Sequence, residues 1–251
     1  MIDIHCHMLP GIDDGPVDLG ESLDMARMAV ANGITESVVT PHILAGRYEN
    51  TRASVQEATR QFQQSLQEHD IPLRLHMAGE IRIGPELMGM VDAQQVPWLG
   101  SLDGYRLVLL ELPHSHIPVG TDKLVNWCLE RRIRPVIPHP ERNKDVICDI
   151  EKIAPLVKLG CLLQVTAGSV AGDFGRMARM RAGQLLKRGW VSFLASDAHN
   201  TRHRIPNLEP GRASAADIIG EEAAWRLVRD NPWQILQAPL QDAVAGHNIA
   251  R

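Results

Sequence analysis

Histidines and carboxylates follow the short apolar segments of this sequence again and again. The first pair, His5 and His7, lies in "IDIHCH", and the last pair, Asp197 and His199, ends "FLASDAH". Imidazole and carboxylate ligands without thiolates suit zinc, manganese or iron. The residues that fit this pattern are His5, His7, His42, Glu80, Glu111, His139, Asp197 and His199, and Asp14 in "GIDDGP" is a further candidate.

The spacing of His5 and His7 is that of two neighbours on one face of a β-strand. Because side chains alternate along a strand, Cys6 would point the other way. Two imidazoles about 7 Å apart along a strand can bind the same ion. In a barrel we expect both histidines to face the interior, while Ile2, Ile4 and Cys6 pack against the helices.

These nine candidate ligands are more than one ion needs, because catalytic sites use roughly four protein ligands or fewer per ion. We therefore expect two or three divalent ions. Three ions would carry six positive charges, and the four carboxylates would offset four of them. The remaining charge of about two favours a bound phosphate dianion.

Two arginines support a phosphate site. Arg142 lies in "HPERN" and Arg204 in "SDAHNTRHR", each shortly after a candidate ligand. A guanidinium group can bind two phosphate oxygens at once, so both residues are candidates for phosphate binding. The alternative is that each arginine pairs with a nearby carboxylate. Arg47 and Tyr48 in "AGRYEN" follow another ligand and are weaker candidates of the same kind.

Strand–helix alternation predicts an α/β fold with a parallel sheet. The predicted strands lie near residues 2–6, 35–40, 73–78, 106–112, 134–138, 161–166 and 191–196. A first helix starts at Asp18, and the later helices cover 51–68, 85–93, 121–132, 150–159, 173–188 and 213–229. An open sheet would not bring six ligand-bearing strand ends together, so we predict a closed barrel with the site at the C-terminal ends of its strands. Only the sixth strand lacks a ligand and offers Gln164 and Thr166.

Composition indicates an ordinary soluble protein, with a net charge of −4 and 44% hydrophobic residues. We expect no membrane insertion, because the sequence has no apolar run of about 18 residues. Mild acidity gives no reason to expect nucleic-acid binding. The four cysteines are scattered, which favours reduced thiols in the cytoplasm. We predict a single domain over residues 1–251, with a tail that is loosely attached from about residue 239.

Seven motifs at strand ends, in this order, point to a known superfamily. They are "DIHCH", "DDGP", "TPH", "GRYEN", "AGE", "HPERN" and "SDAHN". The chain resembles the PHP (polymerase and histidinol phosphatase) superfamily. Within it, the chain is most similar to the metal-dependent protein-tyrosine phosphatases of bacterial capsule and exopolysaccharide operons. The resemblance spans about residues 1–210 and implies a distorted seven-stranded TIM-like (β/α) barrel.

The resemblance also implies a site with three metal ions. Manganese is the expected metal, with iron, zinc or magnesium as alternatives. Arg142 and Arg204 would bind phosphate and act in catalysis, and Arg47 and Tyr48 would contact the substrate. The implied ligand sets are His5, His7, Glu80 and Asp197 for the first ion, Glu80, Glu111 and His139 for the second, and Asp14, His42 and His199 for the third.

By the same resemblance, the substrate is the phosphotyrosine of a partner tyrosine autokinase that regulates polysaccharide export, and inorganic phosphate is a product.

Three alternative functions stay open. A PHP phosphoesterase for histidinol phosphate or another small phosphomonoester has the same ligands. A metal-dependent amidohydrolase also begins with His-x-His, but it usually has a bridging lysine where this chain has Glu111. The third rival is a non-catalytic metal-binding module.

The sequence leaves the general acid and the oligomeric state open. His114 and His116 in "ELPHSH" are candidates for the general acid.

A different phosphatase motif, Cys-x5-Arg, occurs at Cys128 and Arg134. That chemistry needs a thiolate held by a loop of backbone N–H groups. Here Cys128 lies in a predicted helix with no glycine before Arg134, so we interpret this match as accidental.

Overall fold

The computed structural model describes residues 1–237 as a mixed α/β fold in which strands and helices alternate. The strands of this part are β1 (Ile2–Cys6), β2 (Glu36–Val39), β3 (His42–Ile43), β4 (Arg74–Met77), β5 (Glu80–Arg82), β6 (Gly100–Leu102), β7 (Tyr105–Glu111), β8 (Ile133–Pro138), β9 (Leu162–Thr166) and β10 (Val191–Ala195). The α-helices are α1 (Leu19–Ala31), α2 (Arg52–Glu68), α3 (Glu86–Asp92), α4 (Thr121–Glu130), α5 (Lys144–Cys148), α6 (Ala154–Leu159), α7 (Ala167–Ala171), α8 (Gly175–Lys187), α9 (Glu209–Ile219), α10 (Glu221–Trp225) and α11 (Asn231–Gln237).

The strands form two mostly parallel sheets. One has the order β1-β2-β4, and the other has the order β10-β9-β8-β7-β5-β3, with β6 paired antiparallel to β7. The first and last strands are in contact, because the backbone N–H of Asp197 donates to His5 and that of His7 donates to Ala198. Cys6 and Ala198 form a parallel bridge at the same place.

The two sheets also meet where β2 leads into β3 and β4 leads into β5. The N–H of Ala78 donates to the carbonyl of Val39, and the N–H of Glu80 donates to the carbonyl of Pro41. Pro41 has no N–H of its own, which is a local reason for the interruption between β2 and β3. The strands predicted near 35–40 and 73–78 therefore correspond to β2 and β4, and each is followed, after a break, by a further short strand, β3 or β5.

Two groups of buried apolar side chains support this arrangement. The larger one includes Cys6 and lies mainly between strands and helices. The smaller one contains Ile2 and Ile4 together with Leu109 of β7 and Phe193 of β10. The expectation that Ile2, Ile4 and Cys6 share the helix-facing side of β1 was therefore wrong, because Cys6 belongs to one group and Ile2 and Ile4 belong to the other. An irregularity in the pairing of β1 between Asp3 and Cys6 breaks the alternation of side chains.

Several helix boundaries also differ from the prediction. Pro155 lies in the first turn of α6, where a proline is tolerated, so the predicted helix 150–159 is a 3-10 segment followed by α6. Gly220 adopts a positive φ of 87° and ends α9, so the predicted helix 213–229 is divided into α9, α10 and a π-helical turn. Sequence patterns did not predict β6, α5, α7 or α11. The predicted loose tail lies outside the described residues.

Caps at other helix ends agree with the sequence. The Asp18 carboxylate accepts a hydrogen bond from Glu21 N–H at the start of α1. Gly160 follows α6 with a φ of 102°, a conformation that glycine adopts without steric cost. Among residues 1–237, no helix combines the length and the apolar character needed to cross a membrane.

Candidate metal and phosphate site

The structure brings all nine predicted ligands together. His42 and Glu80 are the first residues of β3 and β5, just beyond the ends of β2 and β4. Glu111 is the last residue of β7, His139 directly follows β8, and Asp197 lies two residues after β10. Except for Asp14 and His42, the candidate ligands are buried. A cavity of about 170 Å³ opens above them, lined by Asp14, His42, Glu80, Glu111, His139 and Asp197.

The first predicted ligand set forms a compact group. Nε2 of His5 and Nε2 of His7 face each other at 3.2 Å. Each of these nitrogens lies 3.4 Å from Oε2 of Glu80. Oδ1 of Asp197 is 3.4 Å from His5 Nε2 and 3.6 Å from His7 Nε2. Four potential ligand atoms therefore point at one another from β1, β5 and the end of β10.

Glu80 connects this group to the second predicted set. Its Oε1 lies 2.9 Å from Nε2 of His139, which is 4.0 Å from Glu111. Nδ1 of His42 lies 2.9 Å from Oε2 of Glu80 and 3.8 Å from Glu111. His42 is thus close to the second set as well as to the third.

The third predicted set also shares a member with its neighbour. Asp14 lies 3.3 Å from Nε2 of His42 and 3.4 Å from Nε2 of His199. One potential ligand atom from each of these residues, and one from His7, lie within 4.8 Å of one another. The three sets therefore form one continuous cluster, and their division among individual ions stays a prediction.

The chemistry of this cluster fits bound cations. Within residues 1–237, Oε2 of Glu80 and Nε2 of His199 are buried, and their contacts with His42 at 2.9 Å and with Asp14 at 3.4 Å do not have hydrogen-bond geometry. Burying such atoms without a partner is unfavourable. A divalent cation would bind both types of atom, so the orphaned atoms support a metal centre here.

Neighbouring carboxylates favour the protonated forms of His7 and His42. Burial disfavours the charged form of His7, but the carboxylates of Asp13 and Glu80 outweigh it and raise the pKa of His7 to about 9. At His42, burial is likewise outweighed by the carboxylates of Asp14 and Glu80, and the pKa rises to about 11. A metal ion would have to displace these protons.

His139 and His199 behave in the opposite way. Burial is the main cause that lowers the pKa of His139 to about 3 and that of His199 to about 4. Both rings are therefore neutral near pH 7 and keep a lone pair. Burial, together with the charge of Glu80, raises the pKa of Glu111 to about 7.

Three further residues orient the ligands, and the sequence analysis did not assign this role to them. Oδ2 of Asp13 lies 2.6 Å from Nδ1 of His7, and Oε1 of Gln164 lies 2.7 Å from Nδ1 of His5. These contacts direct both Nε2 atoms into the cluster. Asp3 accepts hydrogen bonds from His5 N–H and from Ser196 N–H. Gln164 lies on the sixth predicted strand, which has no candidate ligand. Its polar side chain on that strand was the available signal for its role.

Both predicted phosphate-binding arginines line the cavity. Arg142 and Arg204 each form an ion pair with Oδ2 of Asp197, the latter at 2.6 Å. Within the described chain, the Nε atoms of both arginines are buried and have no hydrogen-bond partner. Arg82, which the sequence analysis did not single out, lines the same cavity and lies 3.0 Å from Glu111.

The weaker candidates also lie at this cavity. Tyr48 stacks on the His42 ring with the ring centroids 5.5 Å apart, and the Arg47 guanidinium lies 5.0 Å from the Tyr48 ring. His114 lines the cavity, whereas His116 is not among its lining residues. Of the two candidates for the general acid, only His114 is therefore positioned at the site.

The backbone at two candidate ligands is unusual. His139 has a φ of 38° and Asp197 a φ of 53°, both in the left-handed region that residues with a side chain rarely adopt. Such conformations are unfavourable and concentrate at functional sites. Sequence patterns give no signal for them at a histidine or an aspartate.

The Cys-x5-Arg match is not part of this site. Cys128 is buried within α4, and burial raises the pKa of its thiol to about 11. Arg134 lies on β8 and pairs with Asp103 over 3.5 Å. A protonated thiol inside a helix cannot act as the nucleophile of a cysteine-based phosphatase.

The sequence and the fold of this chain are similar to those of known proteins. The chain is 39% identical to the tyrosine-protein phosphatase YwqE of Bacillus subtilis over 230 residues, which is 92% of this chain and 89% of that protein. A crystal structure from work on YwqE of Bacillus subtilis and CpsB of Streptococcus pneumoniae, described as metal-dependent tyrosine phosphatases, matches with a TM-score of 0.88. It is 35% identical and covers 94% of both chains.

A more distant structure shares the fold alone. The histidinol phosphate phosphatase of Lactococcus lactis matches with a TM-score of 0.52 at 11% identity, over 89% of this chain and 93% of that one. The family model for capsular polysaccharide synthesis proteins of the CpsB/CapC type matches residues 1–237. The chain therefore belongs to the CpsB/CapC family of capsular polysaccharide synthesis proteins.

Proposed function

We propose that this protein is a metal-dependent tyrosine-protein phosphatase. The observation that carries this proposal is the cluster of nine candidate metal ligands, six of which line one small cavity together with Arg142 and Arg204. The names of the similar proteins, which are tyrosine-protein phosphatases, support the same substrate.

We also propose that the strands form one closed, distorted seven-stranded barrel within a single domain. The contact between β1 and the end of β10 supports closure on one side. On the other side, the chain passes from β2 to β3 and from β4 to β5. These two passages join the two sheets and therefore support closure there. We count β2 with β3 as one strand and β4 with β5 as another. With antiparallel β6 left out, the proposed barrel has seven strands.

The site would hold three divalent ions, with manganese as the first choice and iron, zinc or magnesium as alternatives. The proposed ligands are His5, His7, Glu80 and Asp197, then Glu80, Glu111 and His139, then Asp14, His42 and His199. When bound, such ions lower the pKa of water and stabilise charge on a phosphoryl group.

The protein's own side chains bind and orient the substrate in this proposal. The unpartnered Nε–H groups of Arg142 and Arg204 are donors for phosphate oxygens, and their charges stabilise the transition state. Tyr48, stacked on His42, and Arg47 would contact the phosphotyrosine ring at the mouth of the cavity. The leaving phenolate has a conjugate-acid pKa of about 10, so it needs only modest proton assistance, for which His114 is positioned.

We further propose a cytoplasmic location and a tyrosine autokinase of capsule or exopolysaccharide synthesis as the partner that supplies phosphotyrosine. Membership of a capsular polysaccharide synthesis family supports the partner. The four cysteines are free, which supports a reducing compartment. Inorganic phosphate is the second product.

The test compares three substrates. Protein stripped with a chelator and reloaded with manganese is assayed with a phosphotyrosyl peptide, a phosphoseryl peptide and histidinol phosphate. We expect phosphate release to be fastest from the tyrosyl peptide. No release from that peptide would contradict the proposal, and equal release from all three would reduce it to an unspecific phosphatase. Preference for histidinol phosphate would establish the small-molecule alternative.

A matched pair of variants tests the metal site. His5→Ala should lose bound metal and activity together while circular dichroism shows an intact fold. His69→Ala, at the exposed end of α2, is the control and should keep both. Normal metal content in His5→Ala would exclude His5 as a ligand.

A further inference from the structure

A larger groove lies directly beside the proposed metal cavity. It encloses about 560 Å³, compared with about 170 Å³ for the metal cavity. Leu44, Tyr48 and Arg82 line both of them, so the two spaces adjoin. A substrate that binds at the metal cavity and projects past these side chains would enter the groove.

The groove differs from the metal cavity in its chemistry. Its walls come from β3, β5 and the segment through α3, and they include Ile43, Ile81, Ile83, Pro85 and Met90. Ile83 and Met90 are only partly buried, so they present apolar surface to the groove. Apolar surface of this kind favours apolar ligand groups, because binding removes both from water.

Arg82 marks the boundary between the two spaces. Its guanidinium lies 3.0 Å from the carboxylate of Glu111, and its side chain stays 29% exposed. On the other side of the opening, Tyr48 is held against the His42 ring. The change from charged to apolar surface therefore takes place within one or two side chains of the candidate ligands.

We propose that this groove binds the apolar side chains that flank the phosphotyrosine of a polypeptide substrate, which makes it a specificity surface for peptides. This inference rests on the proposed tyrosine phosphatase function. Neighbouring residues of an extended peptide are about 3.3 Å apart along the chain. Residues next to the phosphotyrosine thus reach the groove, whereas a small phosphomonoester occupies the metal cavity alone.

The experiment measures kcat/KM of the manganese-loaded protein for three substrates. Two are phosphotyrosyl peptides that differ only in having leucine or aspartate on both sides of the phosphotyrosine, and the third is phenyl phosphate. We expect the leucine peptide to be the best substrate. Met90→Gln should reduce kcat/KM for the leucine peptide about tenfold, mainly through KM, as expected for the loss of one apolar contact. Activity on phenyl phosphate should stay unchanged.

Met88→Gln is the matched control, because Met88 lies on the same helix but does not line the groove. An equal loss of kcat/KM for the leucine peptide in both variants, or no loss in Met90→Gln, would overturn the proposed role of the groove. The tyrosine phosphatase function would stay intact. Better hydrolysis of the aspartate peptide would overturn it as well. Failure of the unaltered protein to hydrolyse either peptide would refute the function and the groove together.

Discussion

Nδ1 of His7 lies 2.6 Å from the carboxylate of Asp13, so the opposite ring nitrogen faces Glu80 and Asp197. This contact leads to the first prediction. Asp13→Asn should weaken metal binding about 10- to 100-fold, because a carboxylate partner fixes a histidine ligand and increases its basicity. Isothermal titration with manganese measures this change.

Asp24→Asn provides the control for that substitution, since Asp24 is an exposed residue of α1 that pairs with Arg27. It should bind manganese as the unaltered protein does. Equal affinity in Asp13→Asn and Asp24→Asn would show that Asp13 only shapes the turn, where it accepts a hydrogen bond from Gly15 N–H.

The arginines at Asp197 should matter for turnover more than for metal content. Arg142→Lys and Arg204→Lys keep the charge but lose the guanidinium donors, and each should lower kcat by about 10²- to 10³-fold. Arg134→Lys, whose side chain pairs with Asp103 instead, should stay close to the original rate. The assay is hydrolysis of a phosphotyrosyl peptide, with metal content measured in parallel. Unchanged kcat in both cavity variants would remove the arginines from the mechanism.

The metal-free protein should lose stability as the pH rises from 6.5 to 9. The pKa of His7 is about 9 in the fold, above the 6.5 of an unfolded histidine, so its contribution is complete below pH 6.5 and is lost as the pH passes 9. The raised pKa of His42 acts in the same direction. The loss should be on the order of 2 kcal/mol for His7, because one pKa unit corresponds to about 1.4 kcal/mol.

Urea denaturation of chelator-treated protein at both pH values measures this loss. The manganese-loaded protein should show a much smaller dependence, because its histidines have already released their protons. A metal-free protein that is more stable at pH 9 than at pH 6.5 would contradict the ionic contacts described for His7.

Cys128 should be dispensable for catalysis. Cys128→Ser should keep the activity of the folded, metal-loaded enzyme within about twofold, because the thiol is buried in α4 and stays protonated. Complete loss of activity in a variant that still binds metal would revive the cysteine mechanism.

Replacing two helical glycines with alanine should have opposite effects on the free energy of unfolding. A Cβ at Gly211 of α9 would lie 2.4 Å from the Ala167 carbonyl oxygen, so the backbones of α7 and α9 approach too closely for alanine. Gly211→Ala should lower the free energy of unfolding by about 1–3 kcal/mol. At Gly183 of α8 the nearest atom is a side-chain carbon of Ile218 at 3.6 Å, so Gly183→Ala should be neutral or stabilising by up to about 1 kcal/mol. Thermal unfolding of both variants decides the comparison.

The sequence was most informative where a histidine or a glutamate stands at the end of a buried strand. His5, Glu111 and His139 could be placed at one site because parallel strands end at the same edge of a sheet, and the structure brings them together there. The family resemblance added Asp14, which no strand pattern would have selected and which lies beside His42.

Features that depend on tertiary contacts were not accessible in this way. The irregular pairing of β1, which turns Ile4 away from its expected face, leaves no mark in the sequence. Gln164 looked like an exception to the ligand pattern because its partner, His5, lies 159 positions away. Antiparallel β6 was missed because three residues are too few for a detectable alternation.

The contact between β1 and the end of β10 has a consequence for the timing of activity. Asp197 and Arg204 follow His5 by almost two hundred residues along the chain, so they leave the ribosome much later. A nascent chain therefore cannot assemble the first proposed ligand set until β10 has emerged and docked beside β1. Metal loading at the proposed ligands would then follow the docking of β10, and a chain that ends before β10 would release no phosphate.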